Sequence, residues 1–213
     1  MEINKYVDLT NLSATATSKD IKKTCELAIK HQVKAVCINS SYVSYAKELL
    51  ANTDVLVCTV VGFPLGANTT FSKVAEAQLS IDNGADEIDM VIHLGKVKEQ
   101  DYQYIISELE LMRLVVKNKI LKVIIETALL TEEEIINLTK ICDENAIDYI
   151  KTSTGFQGGA TISNVELIKS HITGNLKIKA SGKISTFLDA KNLIKAGADR
   201  IGTSKIEVLS NES

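Results

Sequence analysis

Eight short runs rich in valine and isoleucine recur along this 213-residue sequence, and longer segments with helical signals separate them. The runs are Tyr6–Leu9, Ala35–Ile38, Val55–Val61, Glu87–Ile92, Leu121–Glu126, Tyr149–Lys151, Lys177–Ala180 and Arg200–Gly202. Runs of this kind suit strands buried on both faces of a parallel sheet. Between them, Ser18 is placed to cap a helix reaching His31, and Thr131 precedes Glu132, Glu133 and Glu134 at a second helix start. Ser185 or Thr186 opens a third, which Gly197 ends. One junction recurs as Asn83-Gly84-Ala85-Asp86-Glu87-Ile88, Asn145-Ala146-Ile147-Asp148-Tyr149-Ile150 and Ala196-Gly197-Ala198-Asp199-Arg200-Ile201, which marks one supersecondary unit used repeatedly.

Strands alternating with helices predict an α/β fold with a parallel sheet. Eight units predict a (β/α)8 TIM barrel, for which 213 residues is short. The alternative is an open doubly wound sheet, weakened by the lack of a G-x-G-x-x-G after the first strand. No linker or low-complexity stretch divides residues 1–213, so they read as a single domain. In either architecture the chemistry belongs at the C-terminal ends of the strands.

The formal charge of −3 gives no global attraction for nucleic acid or anionic lipid, so an anionic ligand must be held by local donors. No run approaches the ~18 apolar residues of a membrane span, and the N-terminus lacks the layout of a secretory signal. Cys25, Cys37, Cys58 and Cys142 form no C-x-x-C pair and read as free buried thiols, which points to the cytoplasm. His31, His93 and His171 show no metal-ligand spacing, so neither metal nor cofactor is expected.

Three strands carry a charge where a barrel wall should be apolar: Asp89, Lys151 and Lys179. Alternation sets Ile88 and Met90, Ile150 and Ile178 on the opposite face, so the charges face the barrel interior. Such a Lys–Asp–Lys cluster is either a structural ion network or a tuned catalytic site. A second ammonium ~5 Å away costs roughly 3 kcal/mol at an effective dielectric of ~20, about two pK units, and desolvation acts the same way. A lysine in that position supplies a free amine near neutral pH, able to form a Schiff base with a carbonyl. Asp89 is then placed to keep the partner lysine charged and to relay protons.

The loops that follow are small and hydroxyl-rich: Thr152-Ser153-Thr154-Gly155-Phe156-Gln157-Gly158-Gly159, Ala180-Ser181-Gly182-Lys183 and Gly202-Thr203-Ser204-Lys205. Barrels bind phosphate on their last loops through backbone N–H groups. A phosphorylated substrate is therefore expected, with Thr152, Gly155, Gly182, Lys183, Gly202, Ser204 and Lys205 as candidate contacts.

Lys151-Thr152-Ser153-Thr154-Gly155-Phe156, Lys179-Ala180-Ser181-Gly182 and Asp86-Glu87-Ile88-Asp89-Met90-Val91 resemble the signatures of the deoxyribose-phosphate aldolase family. Val61-Gly62-Phe63-Pro64-Leu65-Gly66 and Ile201-Gly202-Thr203-Ser204 are similar to others, and the resemblance runs nearly end to end. It implies reversible cleavage of 2-deoxy-D-ribose 5-phosphate to acetaldehyde and D-glyceraldehyde 3-phosphate. It also implies that Lys151 is the Schiff-base nucleophile, Lys179 the cation that loosens its proton, and Asp89 the acid/base partner. Asp8, Thr10 and Cys37 fall in segments that resemble pocket-lining strands, although Cys37 also reads as a packing thiol.

Some positions depart from the family pattern. Lys183 replaces a glycine, Ser185 an arginine, Lys205 a serine and His93 another polar residue, often asparagine; the tail from Glu207 to Ser213 lacks a terminal aromatic. Lys183 disfavours a positive-φ backbone for cradling phosphate; alternatively, Lys183 and Lys205 supply phosphate charge directly. Rival readings are a lysine-dependent aldolase for another aldehyde or an unphosphorylated sugar, and a non-catalytic sugar-phosphate-binding barrel. The outer helices suit a monomer or a homodimer.

Overall fold

The computed structural model describes residues 2–209; Met1 and the end of the tail, 210–213, lie outside them. The order is β1 (Val7–Asn11), α1 (Ser18–His31), β2 (Ala35–Ile38), α2 (Val43–Leu49), β3 (Leu56–Val61), α3 (Thr70–Asp82), β4 (Glu87–Val91), α4 (Leu94–Lys98) and α5 (Tyr102–Val116). It continues with β5 (Ile120–Ile124), α6 (Glu132–Glu144), β6 (Tyr149–Lys151), α7 (Ile162–His171), β7 (Lys177–Ser181), α8 (Phe187–Ala196) and β8 (Arg200–Thr203). All strand pairs are parallel, and β8 closes onto β1 with Asp8 opposite Gly202, so the sheet is a closed barrel. Among the described residues, a 3-10 turn, Ile206–Leu209, follows β8 instead of a long helix.

Each expected run forms a strand, with ends displaced by two residues at most. Tyr6 belongs to a 3-10 turn, and β1 extends to Asn11. Thr17, not Ser18, caps α1: its side chain accepts from the Asp20 amide while Asp20 bonds back to the cap. The same reciprocal box links Thr131 to Glu134 and Thr186 to Asp189.

The repeated junction has a physical cause. Asp86, Asp148 and Asp199 accept the backbone N–H groups of Val57, Leu121 and Ile178 at 3.0, 2.8 and 2.9 Å. Their own amides donate to the carbonyls of those residues at 2.8, 3.1 and 2.8 Å. Each aspartate thus fixes one strand's start against its neighbour at the N-terminal end of the barrel. The turn before it is left-handed, at Gly84 (φ +102°), Ala146 (φ +54°) and Gly197 (φ +121°).

The strands separate two interiors. Outward residues, including Ile88, Met90, Leu121, Val123, Ile150, Ile178 and Ile201, join a continuous apolar layer beneath the helices. Inward, a small apolar cluster of Ala35, Cys37, Cys58 and Val60 occupies the side of β2 and β3. Further inward positions carry the charges described next.

Candidate active site

Strand register brings the ionisable side chains together. Lys151 is paired with Lys179 across β6 and β7, Asp89 with Lys122 across β4 and β5, and Lys179 with Arg200 across β7 and β8. Lys151 Nζ lies 2.8 Å from Asp89 Oδ2, and Lys179 Nζ lies 2.7 Å from the same oxygen. The two nitrogens are therefore no further apart than the sum of those distances. Lys151 is 3% exposed and Lys179 is 0% exposed, so both are buried.

Beneath this upper tier lies a second one. Lys122 Nζ meets Asp89 Oδ1 at 2.8 Å and Glu87 Oε2 at 2.5 Å, with Asp8 Oδ2 at 3.7 Å. Arg200 reaches Asp8 at 2.6 Å and Glu87 at 3.2 Å. Asp8 also takes the Lys179 ammonium. Burial alone raises the Asp89 carboxyl, but Lys122, Lys151 and Lys179 overcome it and hold the group well below the usual carboxylate range. Asp8 is lowered in the same way, against its burial, by Lys179, Lys122 and Arg200. Burial pulls Lys179 down, yet Asp8 and Asp89 outweigh it and leave this lysine raised, so it is charged.

The structure thus joins Lys151, Lys179 and Asp89, and moves Asp8 from the pocket wall into the ion network. Sequence reasoning passed over Lys122, Glu87 and Arg200. The signal was present in Leu121-Lys122-Val123, a charge between apolar residues as at Lys179, while Glu87 and Arg200 stand at strand starts where a charge is ordinary.

Above the lysines opens a cavity of about 230 Å³. Lys151 and Thr10 reach its floor; Gly155, Gly182, Lys183, Ser185, Gly202, Ser204 and Lys205 line it. A larger hollow of about 580 Å³ lies around Val33 and Asn52–Val55, but its lining does not include the lysine pair. Two glycines are required for space. A Cβ on Gly182 would meet the Gly158 carbonyl oxygen at 2.7 Å, and one on Gly202 would meet Ser181 Cβ at 2.9 Å.

Lys183 adopts the left-handed turn that its side chain disfavours, at φ +59°. Its side chain is exposed, which leaves the cost to local backbone sterics, about 1–2 kcal/mol. Thr152 does not line the cavity: it is buried, and its hydroxyl accepts from the Ser181 amide at 3.1 Å and donates to the Ser181 carbonyl at 3.3 Å. It joins β6 to β7, which is a positioning task. Cys37 is likewise absent from the lining and packs with Cys58. A hydrogen bond with Cys58 lowers the Cys37 thiol against its burial, whereas burial pushes Cys58 up. All four cysteines are free and buried, Cys25 on α1 and Cys142 on α6.

Glu126, also missed from sequence, sits at φ +53° after β5 and is buried. It accepts from the Thr154 amide at 3.1 Å and from the Thr154 hydroxyl, which in turn accepts from the Phe156 amide at 3.1 Å. This chain of bonds fixes the loop that carries Gly155. His93 begins α4, its Nδ1 accepting from the Lys96 amide at 3.3 Å.

Among the described residues, two trios place metal-type ligand atoms within 4.8 Å of one another: Cys37, Cys58 and Asp89, and Asp8, Cys58 and Glu87. Their carboxylates already receive ammonium and guanidinium donors, and Lys122 Nζ lies 3.2 Å from Cys58 Sγ. A divalent cation here would displace or repel those cations, so the donor set fits the lysines better than a metal.

A family model described as DeoC/LacD family aldolase matches residues 3–204. The deoxyribose-phosphate aldolase of Finegoldia magna is 52% identical over 96% of each chain. Among solved structures, the aldolase QR15 is similar with a TM-score of 0.93 and 40% identity, covering 99% of this chain and 94% of its own. The deoxyribose phosphate aldolase of Aeropyrum pernix, described as a unique tetramer, has a TM-score of 0.88 and 30% identity, with 97% and 89% coverage.

Proposed function

Since the chain belongs to the DeoC/LacD family of aldolases, we propose that Lys151 opens its reaction as the amine that captures the substrate carbonyl. The reaction is the reversible cleavage of 2-deoxy-D-ribose 5-phosphate into acetaldehyde and D-glyceraldehyde 3-phosphate. The neutral Lys151 amine adds to C1 of the open-chain aldehyde, and uptake of one proton with loss of water leaves an iminium. A base removes the C3 hydroxyl proton, the C2–C3 bond breaks, and its electron pair moves into the iminium to give an enamine. Glyceraldehyde 3-phosphate departs. Protonation of the enamine carbon and addition of water then release acetaldehyde and the free amine.

One observation carries this reading: two buried lysine nitrogens share a single carboxylate oxygen beside the cavity. Asp89 borders Lys151 and keeps Lys179 charged, and so is placed to relay protons through the substrate or water. Gly155, Gly182, Gly202 and Ser204 line the cavity that receives the phosphate end, with Lys183 and Lys205 adding charge at its rim. The chemistry needs no metal or prosthetic group, because the iminium is the electron sink.

Residues 1–213 form one aldolase domain in this reading. Among the described residues no helix is long and apolar enough to cross a membrane. Four free thiols favour the cytoplasm. A homodimer is proposed as the assembly, with the tetramer of the Aeropyrum pernix relative as the competing state.

The test is acetaldehyde with borohydride. A mass increase confined to Lys151 is expected, whereas no adduct at saturating aldehyde would sink the assignment. Inorganic phosphate should compete with the sugar phosphate. If unphosphorylated deoxyribose turns over equally well, the exposed Lys183, Ser185 and Lys205 do not form a phosphate grip.

A further inference from the structure

The barrel interior holds more charge than the reaction uses. Asp8, Glu87 and Asp89 supply three formal negative charges; Lys122, Lys151, Lys179 and Arg200 would supply four positive ones. All seven side chains are nearly or fully buried. A buried net charge is costly, and the loss of one proton from one lysine removes it. We propose that Glu87 and Arg200, acting through Lys122 and Asp8, are positioning residues that direct this proton loss to Lys151.

The contacts decide which cation yields. Arg200 keeps its charge under any ordinary condition. Lys122 touches Glu87 and Asp89, with Asp8 near; Lys179 touches Asp8 and Asp89. Lys151 has Asp89 as its one ionic partner among the described residues, on an oxygen that Lys179 also occupies. Removing the Lys151 proton therefore forfeits the least attraction and relieves a shared acceptor. Glu87 is central to this outcome because it engages Lys122 and Arg200 at once, while Asp8 holds Arg200 through Oδ1 and Lys179 through Oδ2.

The other ionisable groups inside the strands are the thiols of Cys37 and Cys58 and the phenol of Tyr149, which lies below Arg200 with its ring centroid 5.4 Å away. Lys183 and Lys205 stand at the exposed rim. These groups do not alter the four-to-three count while the thiols are protonated. Lys179 alone would account for local repulsion at Lys151; the lower tier adds that the whole network must balance.

This inference rests on Lys151 being the Schiff-base amine, and its test separates the two ideas. Trapping of acetaldehyde on Lys151 by cyanoborohydride is followed from pH 5 to 9 in the full-length protein. Removing a positive charge with Arg200→Met should move half-maximal trapping to higher pH, and removing a negative charge with Glu87→Gln should move it lower. A unit charge about 10 Å away at an effective dielectric near 20 shifts a proton equilibrium by about one pH unit. The charge-keeping variants Arg200→Lys and Glu87→Asp should stay near the parent curve. Thermal melts check folding; if Arg200→Met does not fold, the Glu87→Gln and Glu87→Asp pair carries the comparison. Coincident curves, or displacement of both charge-removing variants in one direction, would overturn the balance argument. Absence of label on Lys151 in the unmodified protein would instead overturn the proposed reaction.

Discussion

On β6, Ile150 points into the apolar layer beneath the helices, while its neighbour Lys151 points into the ion network. β7 divides the same way between Ile178 and Lys179, and β4 between Ile88 and Asp89. Both faces are equally buried, but their energetics differ. Each fully buried aliphatic side chain on the outer face contributes roughly 1.5–3 kcal/mol by leaving water. Buried ion pairs largely spend their attraction on desolvation, and replacing such groups with well-packed apolar residues is often neutral or stabilising. The outer layer therefore accounts for holding the barrel together, whereas the inner network makes sense as chemistry.

That contrast breaks most sharply along one strand. Lys151→Ala should abolish turnover and trapping, whereas Ile150→Ala should lower stability by about 2–5 kcal/mol in urea unfolding and leave the pH of half-maximal trapping in place. Equal damage to both properties in both variants would erase the distinction. Asp89→Ala should be costly on both counts: it leaves Lys122, Lys151 and Lys179 without their shared anion, a loss of about 3–5 kcal/mol in stability, with activity lost as well. Lys179→Leu should still fold and still label at Lys151, but with the acid limb of its pH–rate profile moved up by about two units. An unchanged profile would mean that the neighbouring charge does not govern the amine.

The network also makes a claim about stability against pH. Asp8 and Asp89 have folded values below the ~3.9 of an unfolded aspartate, so their contribution is complete above about pH 4 and disappears as pH falls through the depressed values. Lys179 is raised, so its contribution is complete below about pH 10.4 and disappears as pH rises through its folded value. Urea midpoints should be nearly level between those limits as far as these groups are concerned, and Asp89→Asn should reduce the acid-side loss. The smallest effect belongs to Ala146, the non-glycine member of the repeated left-handed turn. Ala146→Gly should raise stability by no more than about 1 kcal/mol, because relief of the positive-φ strain is partly cancelled by greater freedom of the unfolded chain.

Strand positions were legible because valine and isoleucine at buried sites leave a local imprint, and the inward direction of Asp89, Lys151 and Lys179 followed from period-two alternation. Helix starts were legible to within a residue, as Thr17 in place of Ser18 illustrates. The charged lower tier was not. Lys122, Glu87 and Arg200 are separated by 35 residues or more in the chain, and one charge on a strand says nothing about its partner until register is known. Thr152 shows the same limit: a hydroxyl in a small-residue loop suits phosphate binding and strand clamping alike, and its bonds to Ser181 appear only in the folded barrel.

The chain by itself therefore determined the eight strands, the apolar outer layer and the three inward charges at Asp89, Lys151 and Lys179, since each depends on short-range periodicity. The closed tertiary structure decided which ions meet, how many share one buried interior, and that Lys183 accepts a left-handed backbone. Those are consequences of barrel closure, which sets residues from opposite ends of the sequence, such as Asp8 and Arg200, 2.6 Å apart.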